Sequence, residues 1–308
     1  MRSYFFFHLF DFHSQTRKNL TRQGRLEQVH QGRQMSSIFN YQTFDVRLDK
    51  STRTLWIEFN RAPHHYLNWE FLFEFETLLA WCTGKVEIHS IVLFSRSESL
   101  SEGIDPEILR TLTVNKLENY TQKLQKITFS LMHLPQIVIG DLGHGTCNVA
   151  SELATACDIR IAHEDCSISF EHSRLGLMPS SGGISQLGAI AGQANARNWL
   201  LSGSQISAEK LAGSGFVFFT YDEEDRFQQL GKLLIDIHSQ APVSRIQTKM
   251  GVTEHIRESV EQLNQLERKL AKAAMISEDW KVETPQNMPA KHMKEAVKLS
   301  LIKDDEGL

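Results

Sequence analysis

Short apolar segments alternate with longer amphipathic segments from about residue 40 onward. Strand composition marks four of the short segments, which are TLWIEFN (54–60), SIVLFS (90–95), QIVIGDL (136–142) and CDIRIA (157–162). The last three have the pattern of strands that are buried on both faces of a sheet. The first ends at RAP, which is a turn signal.

Helical periodicity occupies the intervals between these strands. Residues 68–84 repeat apolar side chains at helical spacing, with Asn68 as the expected N-cap and Gly84 as the expected C-cap. Further helices are predicted over 106–134, 149–156, 222–240 and 255–275. Strands that alternate with helices predict an α/β fold built from crossover units.

The same pattern divides the chain into three regions. We predict a core over residues 40–221 and a helical C-terminal region over 222–308, in one domain without internal repeats. Residues 1–39 form an N-terminal extension. Its first 34 residues are interpreted as an incorrectly assigned translation start, a disordered tail, or an aromatic arm that docks on the body or on a neighbouring subunit. The opening segment MRSYFFFHLFDFH is too short to span a bilayer and has no secretory cleavage signal.

Composition restricts the function classes. The 308 residues are 41% apolar and 23% charged, as in ordinary globular proteins, and the net charge of -4 disfavours bulk binding to nucleic acid. The four cysteines form no CxxC pair and no zinc-type spacing, so we expect reduced thiols, no bound metal and a cytoplasmic protein.

One segment combines a turn, a helix start and a carboxylate. GHGTCNVASEL (143–153) is a glycine-bearing turn that leads into a helix, and Glu152 lies just inside that helix. A second turn, SEGID (101–105), precedes a helix that is expected to begin at Pro106.

Five blocks carry a family resemblance. They are LWIEFNRAPHHYLNWEFLFEFE, IVLFSRSESLSEGIDPEIL, LPQIVIGDLGHGTCNVASELATACDIRIA, SRLGLMPSSGGISQLGAIAG and ARNWLLSGSQISAEKLAGSGFV. In this order they resemble the crotonase, or enoyl-CoA hydratase/isomerase, superfamily over roughly residues 52–220. The resemblance implies a spiral core of ββα units, and a C-terminal helical region that assembles trimers or dimers of trimers. It also implies an acyl-coenzyme A thioester as substrate.

The resemblance further implies an oxyanion hole, a pair of backbone N–H groups that stabilise an enolate oxygen. Such preorganised donors contribute roughly 3–4 kcal/mol each. Gly103 falls on the family's glycine and Ile104 on the first donor. The second donor is Val149, or Asn148 if the register slips by one, because Asn148-Val149-Ala150 replaces the usual glycine triplet. The branched Val149 is expected to narrow the hole, and the positive end of the helix dipole favours an enolate there.

Acid–base chemistry is implied at two positions. Glu152 falls on the family's first glutamate, whereas the second glutamate is replaced by His172, preceded by Glu171. Histidine exchanges protons near neutral pH, so the pair can add water or move a proton. The alternatives are that Glu152 only complements the helix dipole and that His172 only forms part of a pocket wall.

The same family resemblance implies which residues contact the substrate. His65 and Tyr66 lie in the segment that lines the coenzyme A cleft, and Gly103, Asp105 and Asn148 complete the expected substrate-binding set. Adjacent histidines rarely chelate one ion, so His65 and its neighbour predict no metal site. Lys281 and Lys291 are candidates for binding the coenzyme phosphate.

The leading functional hypothesis is therefore lyase or isomerase chemistry through an enolate, with Glu152 as base and His172 as its partner. Coenzyme A is expected as part of the substrate, without a separate cofactor. The alternatives are a non-catalytic member that binds acyl-CoA or assembles with partners, and a thioester hydrolase. We expect a homo-oligomer without a membrane span.

Overall fold

A computed structural model describes residues 39–282, except for the side chain at position 273. The interpretations of residues 1–34 and the candidate Lys291 lie outside this range. A six-stranded sheet of order β1-β2-β3-β4-β6-β9 forms the centre, and its strands are β1 Phe44–Asp49, β2 Thr54–Phe59, β3 Ser90–Ser95, β4 Ile137–Asp141, β6 Ile159–His163 and β9 Phe219–Tyr221. The β1–β2 pair is antiparallel and the other neighbours are parallel.

A second, smaller sheet lies beside the first. It consists of β5 Gly145–Cys147, β7 Ser167–Ser169 and β8 Ile206–Ser207. Isolated bridges join Ser99 to Gly143 and Ser101 to Thr146, so the loop after β3 is held against β5. This pairing brings the segment at 103–105 next to the start of the helix that follows β5.

Nine α-helices are present within the described residues. They are α1 Trp69–Thr83, α2 Pro106–Thr111, α3 Val114–Met132, α4 Asn148–Thr155, α5 Leu187–Ala191, α6 Gln193–Ser202, α7 Ala208–Gly213, α8 Arg226–Ser239 and α9 Pro242–Ser277. Asn68 caps α1 as predicted, because its side chain accepts a hydrogen bond from the N–H of Phe71, and Gly84 follows the last turn.

Two helices differ from their predicted extents. The single helix expected over 106–134 is divided, because the chain is extended at Leu112 and Thr113 and the Thr113 hydroxyl caps the second helix at Lys116. The helix expected over 255–275 is part of the much longer α9, which begins at Pro242. Proline is well tolerated there, since the first helical N–H has no intrahelical partner.

The core lies between the sheet and the helices that cover it. Every residue of β3 is buried, as its apolar sequence predicts. A cluster of aromatic rings joins the edge of the sheet to α1 through Phe44, Phe59, Phe71 and Phe75. Helix α3 packs against both α1 and α9, and thereby brings the long C-terminal helix onto the body. None of the described helices has the length and apolar character needed to cross a membrane.

A buried ion pair ties α8 to the carboxyl ends of the central strands. Arg226 donates from Nε to Oδ2 of Asp141 at 2.9 Å and from Nη2 to the carbonyl of Ser95 at 2.8 Å. The hydroxyl of Tyr221 donates to the other oxygen of Asp141. Buried charges need such partners, so this network holds α8 against the ends of β3 and β4.

Candidate active site

The backbone N–H groups of Ile104 and Val149 converge on a single oxygen atom. Both donate to Oδ1 of Asn148, at N–O distances of 3.0 Å from Ile104 and 2.7 Å from Val149. These are the donor distances expected around the oxygen of an oxyanion intermediate. The two N–H groups therefore have the geometry that an oxyanion hole requires, and this pair is called the candidate oxyanion hole, or the hole, below.

Local structure leaves both N–H groups free of the helices beside them. Asp105 is the N-cap of α2, and its carboxylate accepts from the N–H groups of Glu107 and Ile108, so the N–H of Ile104 lies before the helix. Val149 belongs to the first turn of α4, where backbone N–H groups have no intrahelical acceptor. The donor that converges with Ile104 is thus Val149, without a slip of register.

His172 and Glu152 are in direct contact and almost completely buried. Nε2 of His172 lies 3.0 Å from Oε2 of Glu152. The other carboxylate oxygen, Oε1, accepts from the N–H groups of Ser181 at 2.8 Å and Gly183 at 3.0 Å. Nδ1 of His172 has no hydrogen-bond partner. Glu152 is therefore engaged at both oxygens, whereas His172 keeps one nitrogen available.

A small, partly open cavity lies between the hole and His172. Its lining includes Ile104, Val149 and His172, together with Ala271 and Met275 of α9. The space for the centre of a water-sized sphere is about 10 Å³, which corresponds to about one water molecule. Glu152 and Glu171 are not among the lining residues. An acyl group can therefore enter only if the α9 side of the cavity moves or the group is small.

An open pocket lies on the outer side of the 103–105 segment. It has a volume of about 480 Å³ and is lined by His64, Tyr66, Asp105, Pro106, Glu107 and Arg110. Tyr66 and Asp105 from the expected substrate-binding set therefore meet at this surface. His65 does not, because it is buried with Nε2 3.0 Å from the hydroxyl of Ser95. Burial lowers the pKa of His65, which favours the neutral ring.

Several other residues lie away from the two pockets. The ring of His144 stacks on that of His163 rather than reaching the cavity. Lys281 pairs with Glu278 and lies over the ring of Trp280. In the part of the chain that the structure describes, no three His, Cys, Asp or Glu side chains are grouped to hold a metal ion.

Glu267 is a buried residue of the site region that sequence reasoning missed. It projects from α9 and accepts from the N–H groups of Gly182, Ile184 and Ser185 at 2.7–3.1 Å. Burial is the largest cause that raises the pKa of Glu267 to about 7, with a contribution from the charge of Glu152. On an amphipathic helix rich in charged residues, nothing in the sequence distinguishes this glutamate from its exposed neighbours.

The two sheets, with the helices that cover them, define a crotonase-fold protein. The chain belongs to the enoyl-CoA hydratase/isomerase family, whose model matches residues 50–293. The fold class expected from the sequence resemblance is thereby confirmed.

Two curated relatives are similar to this chain over somewhat more than half of its length. A probable enoyl-CoA hydratase of Bacillus subtilis (strain 168) is 25% identical over 176 residues, which cover 57% of this chain and 68% of the relative. A peroxisomal Delta(3,5)-Delta(2,4)-dienoyl-CoA isomerase of Arabidopsis thaliana is 24% identical over 193 residues, which cover 58% and 69%.

Solved structures share the fold at low identity. An enoyl-CoA hydratase/isomerase from Xanthobacter autotrophicus Py2 superposes with a TM-score of 0.73 at 18% identity, covering 84% of this chain and 97% of that one. An enoyl-CoA hydratase from Bacillus halodurans gives a TM-score of 0.71 at 16% identity, covering 83% and 100%.

Proposed function

We propose that this protein binds acyl-coenzyme A thioesters and moves a proton along the acyl chain through an enolate. The observation that carries the proposal is the convergence of the Ile104 and Val149 N–H groups on one oxygen position. Donors fixed in this way lower the energy of an enolate oxygen more than that of a neutral carbonyl, because hydrogen bonds to a charged acceptor are stronger.

His172 is the proposed proton carrier. Its Nε2–H donates to the Glu152 carboxylate, and the ring then carries a lone pair on Nδ1, the nitrogen without a partner. In a thioester with a double bond between its β and γ carbons, Nδ1 accepts the proton of the α carbon, and the electrons of the broken C–H bond pass into the enolate. The same proton then returns to the γ carbon, while the double bond moves to the α,β position. No net proton is gained or lost, and the product is a positional isomer of the double bond.

In this proposal Glu152 supports His172. The roles are therefore the reverse of those expected from the sequence, where Glu152 was the base and His172 its partner. Three donors occupy its carboxylate, namely the ring of His172 and the N–H groups of Ser181 and Gly183. The carboxylate selects the tautomer of His172 and stabilises the imidazolium that forms when the ring accepts a proton.

Isomerisation is favoured over hydration because one proton carrier lines the cavity. Hydration requires a water molecule to be held and deprotonated while a proton reaches the neighbouring carbon, which the family accomplishes with two carboxylates. His172 and Glu152 instead act as one unit, with Glu152 behind the ring. The lyase activity expected from the sequence is therefore the less favoured form of the proposal.

The open pocket at Tyr66 and Arg110 is the proposed site for the nucleotide end of coenzyme A. It lies beside the 103–105 segment, so the pantetheine arm passes from this pocket toward the hole. Arg110 contributes a positive charge for a phosphate group, and Tyr66 contributes a ring for stacking.

A non-catalytic acyl-CoA-binding protein is the second candidate. The specific observation in its favour is that the side chain of Asn148 occupies both donors of the hole, which would leave a bound thioester carbonyl without activation. Binding without turnover would then be the function of the pocket.

The deciding experiment measures exchange of the proton next to the thioester carbonyl. A short saturated acyl-CoA in D₂O is incubated with protein, and deuterium at the α-carbon is followed by NMR, because exchange reports enolate formation directly. His172→Gln should slow exchange by roughly 10²–10⁴-fold, while His133→Gln, an exposed control, should not. Binding without exchange would favour the second candidate, and absence of binding would contradict both.

A further inference from the structure

The amide side chain of Asn148 stands where a substrate oxygen would bind. Its Oδ1 is a carbonyl oxygen that accepts from both donors of the hole, at 2.7 and 3.0 Å. A thioester carbonyl that entered the hole would need the same two N–H groups at the same position. Both oxygens cannot occupy it together.

The amide is held at its other end as well. Nδ2 of Asn148 donates to the carbonyl of Glu102 at 3.2 Å and lies 3.2 Å from the sulfur of Cys147. Asn148 has φ of +42°, a left-handed conformation that asparagine adopts more readily than most residues. The backbone and the side chain thus agree in placing the amide across the hole.

Gly103 leaves the room that this arrangement needs. A Cβ atom at position 103 would lie 1.8 Å from Oδ1 of Asn148, and Gly103 has φ of +82°. Any other residue there would force the amide out. The glycine therefore accommodates the Asn148 side chain as well as the turn.

From these contacts we infer that Asn148 is a built-in competitor for the oxyanion hole, and that an acyl thioester binds productively only by displacing its amide. This inference rests on the proposed function, because it concerns the regulation of the same site. The buried N–H groups of Ile104 and Val149 lose their acceptor when the amide leaves. A buried N–H group without an acceptor raises the free energy of the protein, so the amide leaves only when another oxygen replaces it.

The chemistry of the replacement sets the preference of the site. Hydrogen bonds to a charged acceptor are roughly twice as strong as those between neutral groups. An oxygen that carries or develops negative charge, as in an enolate, therefore displaces the neutral amide more readily than an unactivated carbonyl does. The apparent affinity for an acyl thioester is reduced by the fraction of molecules in which the hole is closed.

Substitution of Asn148 tests the inference against a matched pair of ligands. Isothermal titration with a short acyl-CoA and with free coenzyme A is carried out on the wild type and on Asn148→Gly, which keeps the backbone conformation accessible. Acyl-CoA should bind about tenfold more tightly to Asn148→Gly. Free coenzyme A has no thioester carbonyl, so its affinity should not change.

Two further variants sharpen the result. Asn148→Asp places a charged oxygen in the hole and should weaken acyl-CoA binding, again without an effect on free coenzyme A. Asn115→Gly, an exposed position on α3, controls for the general effect of an added glycine. An unchanged ratio of the two affinities in both Asn148 variants would overturn the inference.

A measurement without ligand separates this inference from the proposed function. Amide hydrogen exchange at Ile104 and Val149 should be slow in the wild type and clearly faster in Asn148→Gly. If neither ligand binds, the proposed function fails, yet loss of protection still supports an occupied hole. Equal protection from hydrogen exchange in both proteins would overturn the inference, whatever the result of the ligand titrations.

Discussion

Glu152 and Glu267 accept hydrogen bonds from alternating backbone N–H groups of the same loop. Ser181 and Gly183 donate to Glu152, whereas Gly182, Ile184 and Ser185 donate to Glu267. One carboxylate comes from α4 at the oxyanion hole and the other from α9. The loop therefore couples the position of the C-terminal helix to the acid–base pair.

This coupling predicts a stability that depends on pH. The pKa of Glu267 is raised from 4.5 to about 7 in the folded protein, so the folded state binds the proton more tightly than the unfolded state. The resulting stabilisation is complete at pH values below the pKa of the unfolded state. It is lost as the pH rises from about 4.5 through about 7. A pKa shift of this size corresponds to a change of about 3 kcal/mol in the free energy of unfolding.

Urea unfolding at pH 5 and pH 8 provides the measurement. Glu267→Gln should remove most of this contribution from the difference in unfolding free energy between the two pH values. Glu254→Gln, an exposed substitution on the same helix, serves as the control and should keep the wild-type difference. A wild-type difference that survives in Glu267→Gln would show that other groups cause it.

The second prediction concerns the size of the acyl group. Met275 is buried and lines the cavity from α9. Met275→Ala should enlarge the cavity and shift the preference for acyl-CoA binding toward longer chains, at a cost of about 2–5 kcal/mol in folding stability. Titration with a series of chain lengths checks the shift. Met250→Ala, which alters an exposed side chain, should change neither property, and an unchanged chain-length profile in Met275→Ala would contradict the assignment.

The third prediction concerns the buried ion pair between Arg226 and Asp141. Arg226→Met leaves the buried carboxylate of Asp141 without its guanidinium, and should lower the free energy of unfolding by about 3–5 kcal/mol. Adding Asp141→Asn to this variant should restore part of the loss, because the uncompensated charge is removed. Chemical denaturation measures both effects. Arg257→Met removes an exposed pair and should have little effect; an equally small effect for Arg226→Met would be inconsistent with the proposed role of the pair.

The fourth prediction concerns assembly. Helix α9 leaves several large apolar side chains exposed in the single chain, namely Val243, Met250, Val252, Leu266 and Ile276. Large apolar side chains that a single chain leaves exposed are often covered by a neighbouring subunit, so we expect a trimer or a dimer of trimers. Light scattering should give three or six times the chain mass of 35.2 kDa. Val252→Asp should reduce that mass while Val86→Asp, at an exposed position outside α9, should not; a monomer mass at micromolar concentration would refute the prediction.

Much of the framework follows from local sequence. The apolar run at 90–95 forms a fully buried strand, and the caps of α1 lie at Asn68 and Gly84 as their residue types predict. These features depend on side chains close together in the chain, so patterns of three or four residues are sufficient to predict them. Ile104 and Val149 were expected as donors from the family resemblance, and the structure brings their N–H groups together.

The chemistry inside the site depends on contacts between distant segments, which no local pattern specifies. The amide of Asn148 reaches the N–H of Ile104 because the bridge between Ser101 and Thr146 holds their two segments side by side. His172 faces the cavity and Glu152 lies behind it, since backbone donors from a third segment occupy the carboxylate. The sequence by itself determined which groups are present, whereas the tertiary structure decided which group faces the cavity, because burial and hydrogen-bond partners arise only when the segments pack.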